Sequence, residues 1–504
     1  MSFRLAVISD IHFGKECPIP ERKGQFGAVF LLRAVHRLKR FLAPDAVVVL
    51  GDCINSAADA DALHRLGELK KILDLLPCPV MVLPGNHDPV ASDFYTVFSR
   101  PDDHVDWKGI RFLPFLDAEE PGFHARRSER DLARLAAAGD GFEGPLVTLQ
   151  HVPVLPRGET GCPYSFTNLE EVLDASRRAG ISLHVGGHFH AGTDLVGEGD
   201  HAFIGVPALS DDPYCFTMIE IEYTPGRRRA ETRVERHPLA MPRELELMDT
   251  HCHTPFAYCQ ENMDMVMAPD LAMTLGLALQ GFAEHSGQLY FDQETFWGAR
   301  FCDQGIDCVQ GRKDRSHDYW REMERTLPMA RLPALAGLEV DVDFRGELVM
   351  TREDLRRAKF LNGAIHFLPE MLKPKPQMDG NLLTRQFLEI LNRLLDSGVH
   401  ILAHPFRILR KQGVELPRAS FKDIVRRMRQ RKVAAEINFH TNEPDAEFVR
   451  LCLEGGVKLA LGTDAHNLYE VGEFWPHLRF LREAGCRDGD LKDALVCWDG
   501  ERIG

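Results

Sequence analysis

None of the 12 cysteines forms a CxxC pair, and their irregular spacing excludes a disulfide scaffold or a structural zinc ribbon. No uninterrupted apolar run approaches the ~18–20 residues that span a bilayer. Met1 leads straight into an apolar, strand-like segment rather than into a signal-peptide layout. Reduced thiols, a cytoplasmic location and no membrane partner are the expectation. Long-period repeats and low-complexity segments are absent as well. So is any basic excess: 75 Asp and Glu against 60 Lys and Arg give a formal net charge of −15. Tight, nonspecific binding of long nucleic acid draws its affinity from Lys and Arg releasing phosphate counterions, so this charge opposes it. A small phosphorylated metabolite, a nucleotide or a short oligonucleotide stays open as a partner, and the oligomeric state has no signature.

What is present is ordinary globular composition, 44% hydrophobic and 27% charged over 504 residues, too long for one compact core. In the first half, short apolar runs end abruptly in polar, metal-competent residues, at Leu5 to Ile8, Val47 to Leu50, Val80 to Leu83 and Leu146 to Leu149. Each reads as a buried strand feeding a functional loop, with amphipathic helices between them. Around residues 222–246 the hydrophobic period fades into turn residues and mixed charge, which reads as a solvated edge or linker and places a boundary near Pro238. The expected domains are 1–238 and 245–504. Beyond the boundary, strand-like runs alternate with helices again, the pattern of a β/α barrel whose site lies at the strand carboxyl ends.

Five motifs follow the first-half strands in order: SDIHFG with Asp10 and His12, GDCIN with Asp52, GNHD with Asn86, His87 and Asp88, QHVP with His151, and GGHFH with His188 and His190. A two-metal hydrolase needs such hard oxygen and imidazole donors, with one carboxylate able to bridge the ions. Gly51, Gly85 and Gly187 precede donor positions, where the backbone must turn sharply or approach closely. Over roughly the first 210 residues the set resembles the calcineurin-like metallophosphoesterases. That resemblance implies a two-sheet sandwich flanked by helices and two divalent ions, manganese, iron or zinc. Asp10, His12 and His190 would hold one, and Asn86, His151 and His188 the other. Asp52 would bridge them, and His87, oriented by Asp88, would serve as acid at the leaving oxygen.

The second half opens with an HxH pair, His251 and His253. His285, Glu339, His366, His404, Glu436, Asp464 and His466 follow, each after an apolar run. This series resembles the PHP (polymerase and histidinol phosphatase) family, in its histidinol-phosphatase-like branch, over roughly residues 247–500. The resemblance implies a distorted (β/α)7 barrel with two or three ions of manganese, iron or zinc. His251, His253, Glu339 and Asp464 would bind the first; Glu339, His366 and His404 the second; His285 and His466 would contribute to a third. Where the family places a further histidine, this chain has Cys259, which reads either as a retuned third-site ligand or as a small buried residue. Arg407 and His440 are candidate substrate contacts, with solvated loop positions the alternative.

Three functions stay open on the sequence. One is a bifunctional hydrolase, cleaving a phosphodiester or cyclic phosphate in the first domain and a phosphomonoester in the second, in sequence or on unrelated substrates. The others are a nucleic-acid end-processing nuclease or phosphatase, and an enzyme in which one domain is a non-catalytic metal-binding module.

Overall fold

The computed structural model describes residues 1–500 except 16, 18, 159 and 310–313. It is a mixed α/β protein of two compact units, Met1–Ala240 and Met241 onward.

The first unit is built on strands β1 (Ser2–Ile8), β2 (Ala46–Leu50), β3 (Val80–Leu83), β4 (Val105–Trp107), β5 (Ile110–Pro114), β6 (Ala118–Glu120), β7 (His124–Arg126), β8 (Leu146–Leu149), β9 (Leu183–Gly186), β10 (Val196–Glu198), β11 (His201–Gly205), β12 (Cys215–Tyr223) and β13 (Ala230–Pro238). One sheet has the order β13-β12-β1-β2-β3 and a second the order β10-β11-β9-β8-β5-β4, with β6 and β7 a separate hairpin. Alternate residues of both sheets, among them Leu5, Val7, Val48, Leu50, Phe112, Val147, Leu149, Val185 and Ile219, meet in one buried core. That period of two is the pleat turning every second side chain inward. The expected amphipathic stretches form the helices Gly27–Arg37 and Ala62–Leu73.

Between the two readings of the stretch before the boundary, the structure has a solvated sheet edge and not a linker. The arginine-bearing stretch taken as a solvated edge or linker includes β13, a nine-residue strand paired antiparallel with β12 along its whole length. It lies at the sheet edge, and charge on its solvent side masks the period.

The second unit holds seven parallel strands in sequential order: β14 (Met248–Cys252), β15 (Leu279–His285), β16 (Ala334–Asp341), β17 (Leu361–Ala364), β18 (Ile401–Leu402), β19 (Ala434–Asn438) and β20 (Leu459–Gly462). The first and last approach each other through a bridge between Cys252 and Ala465 and a hydrogen bond from Asp464 N to His251 O of 2.6 Å. The result is a nearly closed parallel-strand barrel. Among the described residues no helix is long and apolar enough to cross a membrane.

Candidate metal centres

In the first unit the candidate donors all follow strand carboxyl ends. Asp10 and His12 come after β1, Asp52 after β2, Asn86 and His87 after β3, His151 after β8, and His188 and His190 after β9. Asp10, His12, Asp52 and His188 have φ of 53°, 47°, 50° and 62°, in the left-handed region that L-residues seldom occupy. The glycines make room for them. Gly51 has φ 91°, and a Cβ on Gly85 would stand 2.2 Å from Asp52 Oδ1.

These turns bring the donors together. Asp10, Asp52, His151 and His188 form one group able to hold an ion, and Asp10, His12 and His190 another. His12 Nε2 and His190 Nε2 are 3.2 Å apart, and His151 Nε2 lies 3.1 Å from both His188 Nδ1 and Asn86 Oδ1. Three of these four rings, all but His12, have the far nitrogen committed elsewhere. His151 Nδ1 donates to Leu50 O at 2.6 Å, His188 Nε2 to Phe123 O at 3.1 Å, and His190 Nδ1 to Asp211 Oδ2 at 2.7 Å. The inward nitrogens are therefore lone pairs facing one another, and only a cation or a proton between them relieves the repulsion. Donors of one ion bound at about 2.0–2.2 Å sit roughly 3.0–3.5 Å apart, which these spacings match. Asp10 Oδ1 is buried without a hydrogen-bond partner. The residues fit a pair of metal ions.

Without metal, protons take that place. Burial opposes charge on His151, but Asp52 outweighs it and lifts the ring to about 9. Burial is likewise overcome at His190, where Asp10 and Asp211 raise the ring to about 10. Burial prevails at His12 and His188, pushed down to about 3 and about 4.

The roles around His87 need correction. Asp88 does not orient its ring: the carboxylate accepts backbone N–H groups from Gly85, Cys53 and Ile54 at 2.9–3.1 Å, pinning the loop that carries His87. Burial, with the nearby Asp52 charge, raises the Asp88 carboxyl to about 7. The His87 ring instead donates from Nδ1 to Asn55 O at 2.8 Å. Asp211, which holds His190, was not among the sequence candidates; it belongs to no motif and reaches the site from the loop after β11. Beside the centre a cavity of about 360 Å³ is lined by Asn86, Asp117, Phe123, His124, His151 and His188 among others.

In the second unit the donors also cluster at strand carboxyl ends, with Glu339 of β16 at the middle. Its Oε1 lies 2.7 Å from His404 Nε2 and 3.2 Å from His366 Nε2, and its Oε2 lies 2.5 Å from His285 Nδ1 and 3.6 Å from His251 Nε2. Asp464 Oδ1 is 2.9 Å from His253 Nε2 and 3.6 Å from His251 Nε2. Outer nitrogens are again tied: His251 Nδ1 to Glu436 at 2.6 Å, His253 Nδ1 to Glu284 at 3.2 Å, and His366 Nδ1 to Asp341 at 2.6 Å. Glu284, Asp341 and Glu436 thus orient rings, as carboxylates behind metal-binding histidines do. Glu339 Oε2, His285 Nδ1 and His251 Nε2 are all buried without hydrogen-bond partners, although the first two are 2.5 Å apart. Converging, unpartnered donors of this kind fit a cation. Burial resists charge on Glu339, yet His285, His366 and His251 hold it well below the usual carboxylate range.

Arg407 and His440 are not free loop positions; both have partners beside the donors. Arg407 is 7% exposed, and its guanidinium lies inside the donor set, 2.5 Å from Asp464 Oδ2, 2.6 Å from His404 Nε2 and 3.2 Å from His366 Nε2. A buried carboxylate and bare imidazoles draw the nearest cation inward. An ion on His366 and His404 would use the same lone pairs, so the guanidinium as placed and that ion are alternatives. His440 donates from Nδ1 to Glu470 at 2.9 Å and stacks on His466, with centroids 4.5 Å apart. Cys259 lies 3.1 Å from His466 Nε2, and burial pushes its thiol up to about 12.

Residues 3–192 match the family described as calcineurin-like phosphoesterase. The first unit thus carries a domain of that class, whose members are metal-dependent phosphoester hydrolases built on a dimetal centre. The chain is also 28% identical over 157 residues to a probable phosphatase of Acetivibrio thermocellus, covering 30% of this chain and 59% of that protein. A probable phosphatase of Clostridium novyi is 25% identical over 149 residues, 28% of this chain and 55% of that one. The chain therefore spans a little over half the length of these curated relatives. Among solved structures, a dimetal phosphatase from Danio rerio aligns with 18% identity and a TM-score of 0.38, over 46% of this chain and 98% of that one. A Listeria monocytogenes protein provisionally named a histidinol phosphatase aligns with 15% identity and a TM-score of 0.33, over 46% and 99%.

Proposed function

We propose that the chain holds two separate metal-dependent phosphoester-hydrolysing centres. The first unit acts on a phosphodiester or cyclic phosphate, and the second, of the PHP type, on a phosphomonoester. The observation that carries this reading is common to both. One buried carboxylate, Asp52 or Glu339, is surrounded by imidazoles whose far nitrogens are mostly tied to acceptors, so that bare donors converge beside it. Manganese, iron or zinc ions held there would activate a water and neutralise charge on the phosphoryl oxygens. The chain's own residues do the rest. Asn86 and His151 set the edge of the cavity where an ester enters, and His87, fixed by Asn55 O, presents its other ring nitrogen as the proton donor to a leaving oxygen. The cavity volume and the net charge of −15 favour a small phosphorylated metabolite or a nucleotide over a long polyanion.

Asp52→Asn and Glu339→Gln test the reading, each neutralising one central carboxylate with little change of shape. Both variants, checked for folding by circular dichroism, are assayed on bis-p-nitrophenyl phosphate and p-nitrophenyl phosphate with each metal. Asp52→Asn should lose the diester activity and keep the monoester activity, and Glu339→Gln the reverse. Loss of both activities from either variant would sink the claim of independent centres.

A further inference from the structure

Resting on the reading of the first unit as a diester-hydrolysing centre, we propose that Phe123, Val90 and Glu119 are the part of its cavity that selects substrate. They take a planar, amino-bearing ring, a nucleobase with an exocyclic amine, as the organic group of the ester.

Two phenylalanines and three carboxylates line the cavity beside the first centre. Phe115 is buried beneath the guanidinium groups of Arg127 and Arg134, which lie 3.7 and 4.1 Å from its ring centre. Phe123 instead is 55% exposed. Of the carboxylates, Asp88 is taken by backbone N–H groups, and Asp117 by Arg127 at 2.8 and 2.9 Å. Glu119 is exposed, and among the described residues its side chain has no hydrogen bond or ion pair. Val90, 68% exposed, adds an apolar surface to the same lining. An open aromatic face, an apolar side chain and an unpaired acceptor together match a flat ring that donates N–H groups from its edge.

A second observation concerns the backbone under the ring. Phe123 ends the turn of the β6–β7 hairpin with φ 60°, directly after Gly122 with φ 84°. A bulky residue at such a φ is a rare outlier, and glycine or asparagine would hold the turn at less cost. Any residue would supply the carbonyl that accepts from His188. The turn therefore does not need phenylalanine, and with the ring exposed the core does not need it either. The ring is nonetheless held in place. Tyr164 meets it edge-on with centroids 6.5 Å apart, and the Ala125 N–H donates to Ser165 O at 3.0 Å, anchoring the hairpin. A platform fixed before binding loses little freedom when a ring stacks on it. Its centre stands 6.5 Å from that of His188, within reach of a nucleoside whose phosphorus lies at the ions. A quaternary ammonium group also suits an aromatic face beside a carboxylate, but its compact head would leave most of a cavity of about 360 Å³ unfilled.

Diesters that share p-nitrophenolate as leaving group and differ in the other alcohol isolate this contact. In the full-length, metal-loaded protein, kcat/KM is compared for the p-nitrophenyl esters of adenosine 5′-phosphate, inosine 5′-phosphate, choline phosphate and methyl phosphate. Wild type should prefer the adenosine ester. Phe123→Asn, which suits the left-handed turn, should lower the ratio of adenosine to methyl ester by about 10–100-fold, mostly through KM, the worth of one base stacked on an aromatic side chain. Phe123→Trp should restore the ratio, and Glu119→Ala should bring the adenosine and inosine esters together. A wild-type ratio in Phe123→Asn, reached through equal losses or none, overturns the proposal and leaves Phe123 as a prop for His188. Preference of wild type for the choline ester overturns it in favour of a cation, and Glu119→Ala still preferring adenosine to inosine overturns the selection of an amine. Asp52→Asn separates this from the broader reading. If the selectivity alone is wrong, Asp52→Asn still loses the diester activity; if it keeps that activity, the reading of the first centre is wrong as well.

Discussion

Asp211 offers the sharpest perturbation of the first centre, because it acts on metal binding through one ring. Its Oδ2 accepts the His190 Nδ1–H at 2.7 Å, while Ser210 Oγ donates to Oδ1 at 2.6 Å. Removing a carboxylate behind a metal-binding histidine costs about 10–100-fold in affinity, or about 1.4–2.7 kcal/mol. The Asp211 side chain is 20% exposed, so solvent screens part of its charge. Asp211→Asn keeps an acceptor oxygen on the ring and removes only charge, so about tenfold is expected; Asp211→Ala removes both, and about a hundredfold is expected. Competition against a chelating dye, resolved by stoichiometry, should show weakening of the ion held by Asp10, His12 and His190, with every other ion unchanged. Wild-type affinity for all ions in Asp211→Ala would refute the reasoning, as would equal weakening of both ions of the first unit.

Gly85→Ala puts a Cβ 2.2 Å from Asp52 Oδ1 and 2.5 Å from Asp52 N, and Gly462→Ala one 1.9 Å from Glu436 Oε1. Overpacking of this kind costs about 1–3 kcal/mol. Thermal unfolding with and without metal should show each variant losing the metal-dependent gain in its own unit only. Metal uptake by the first centre expels the protons that His151 and His190 carry up to about pH 9 and about pH 10. Affinity should thus rise about tenfold per pH unit for each proton displaced, from pH 7 toward 9, and calorimetric heats should depend on the buffer; a flat profile contradicts this. His87→Ala should slow esters with alkyl leaving groups by about 10²–10⁴-fold, and p-nitrophenyl esters far less, at unchanged metal content. Equal losses on both would remove His87 as the proton donor.

The sequence made the donor residues legible because chemistry and backbone coincide in them. A run such as Val47 to Leu50 can only be a buried strand, and Gly51 and Asp52 directly after it leave one place for the carboxylate. The same holds for β9 before His188 and β20 before Asp464. What stayed hidden depends on contacts without a motif. The partner of His87 is the carbonyl of Asn55, which any residue there would provide. Asp211 arrives from a distant loop, and Arg407 turns inward because of charges that only the assembled barrel brings together. Strand β13 escaped because its outward face is charged.

The left-handed backbone at the donor positions extends to the second unit, where His404 and Asp464 have φ of 31° and 55°. Each such residue is selected twice, once for its donor atom and once for tolerance of a conformation costing on the order of 1 kcal/mol or more. Asparagine and glycine meet the second requirement, and valine, isoleucine and leucine do not. Decay of either centre would therefore run through a narrow set of replacements. Asn or Gly would stand at Asp10, Asp52 or Asp464 in a folded, metal-free descendant, and the outline of the lost site would stay readable in its turns.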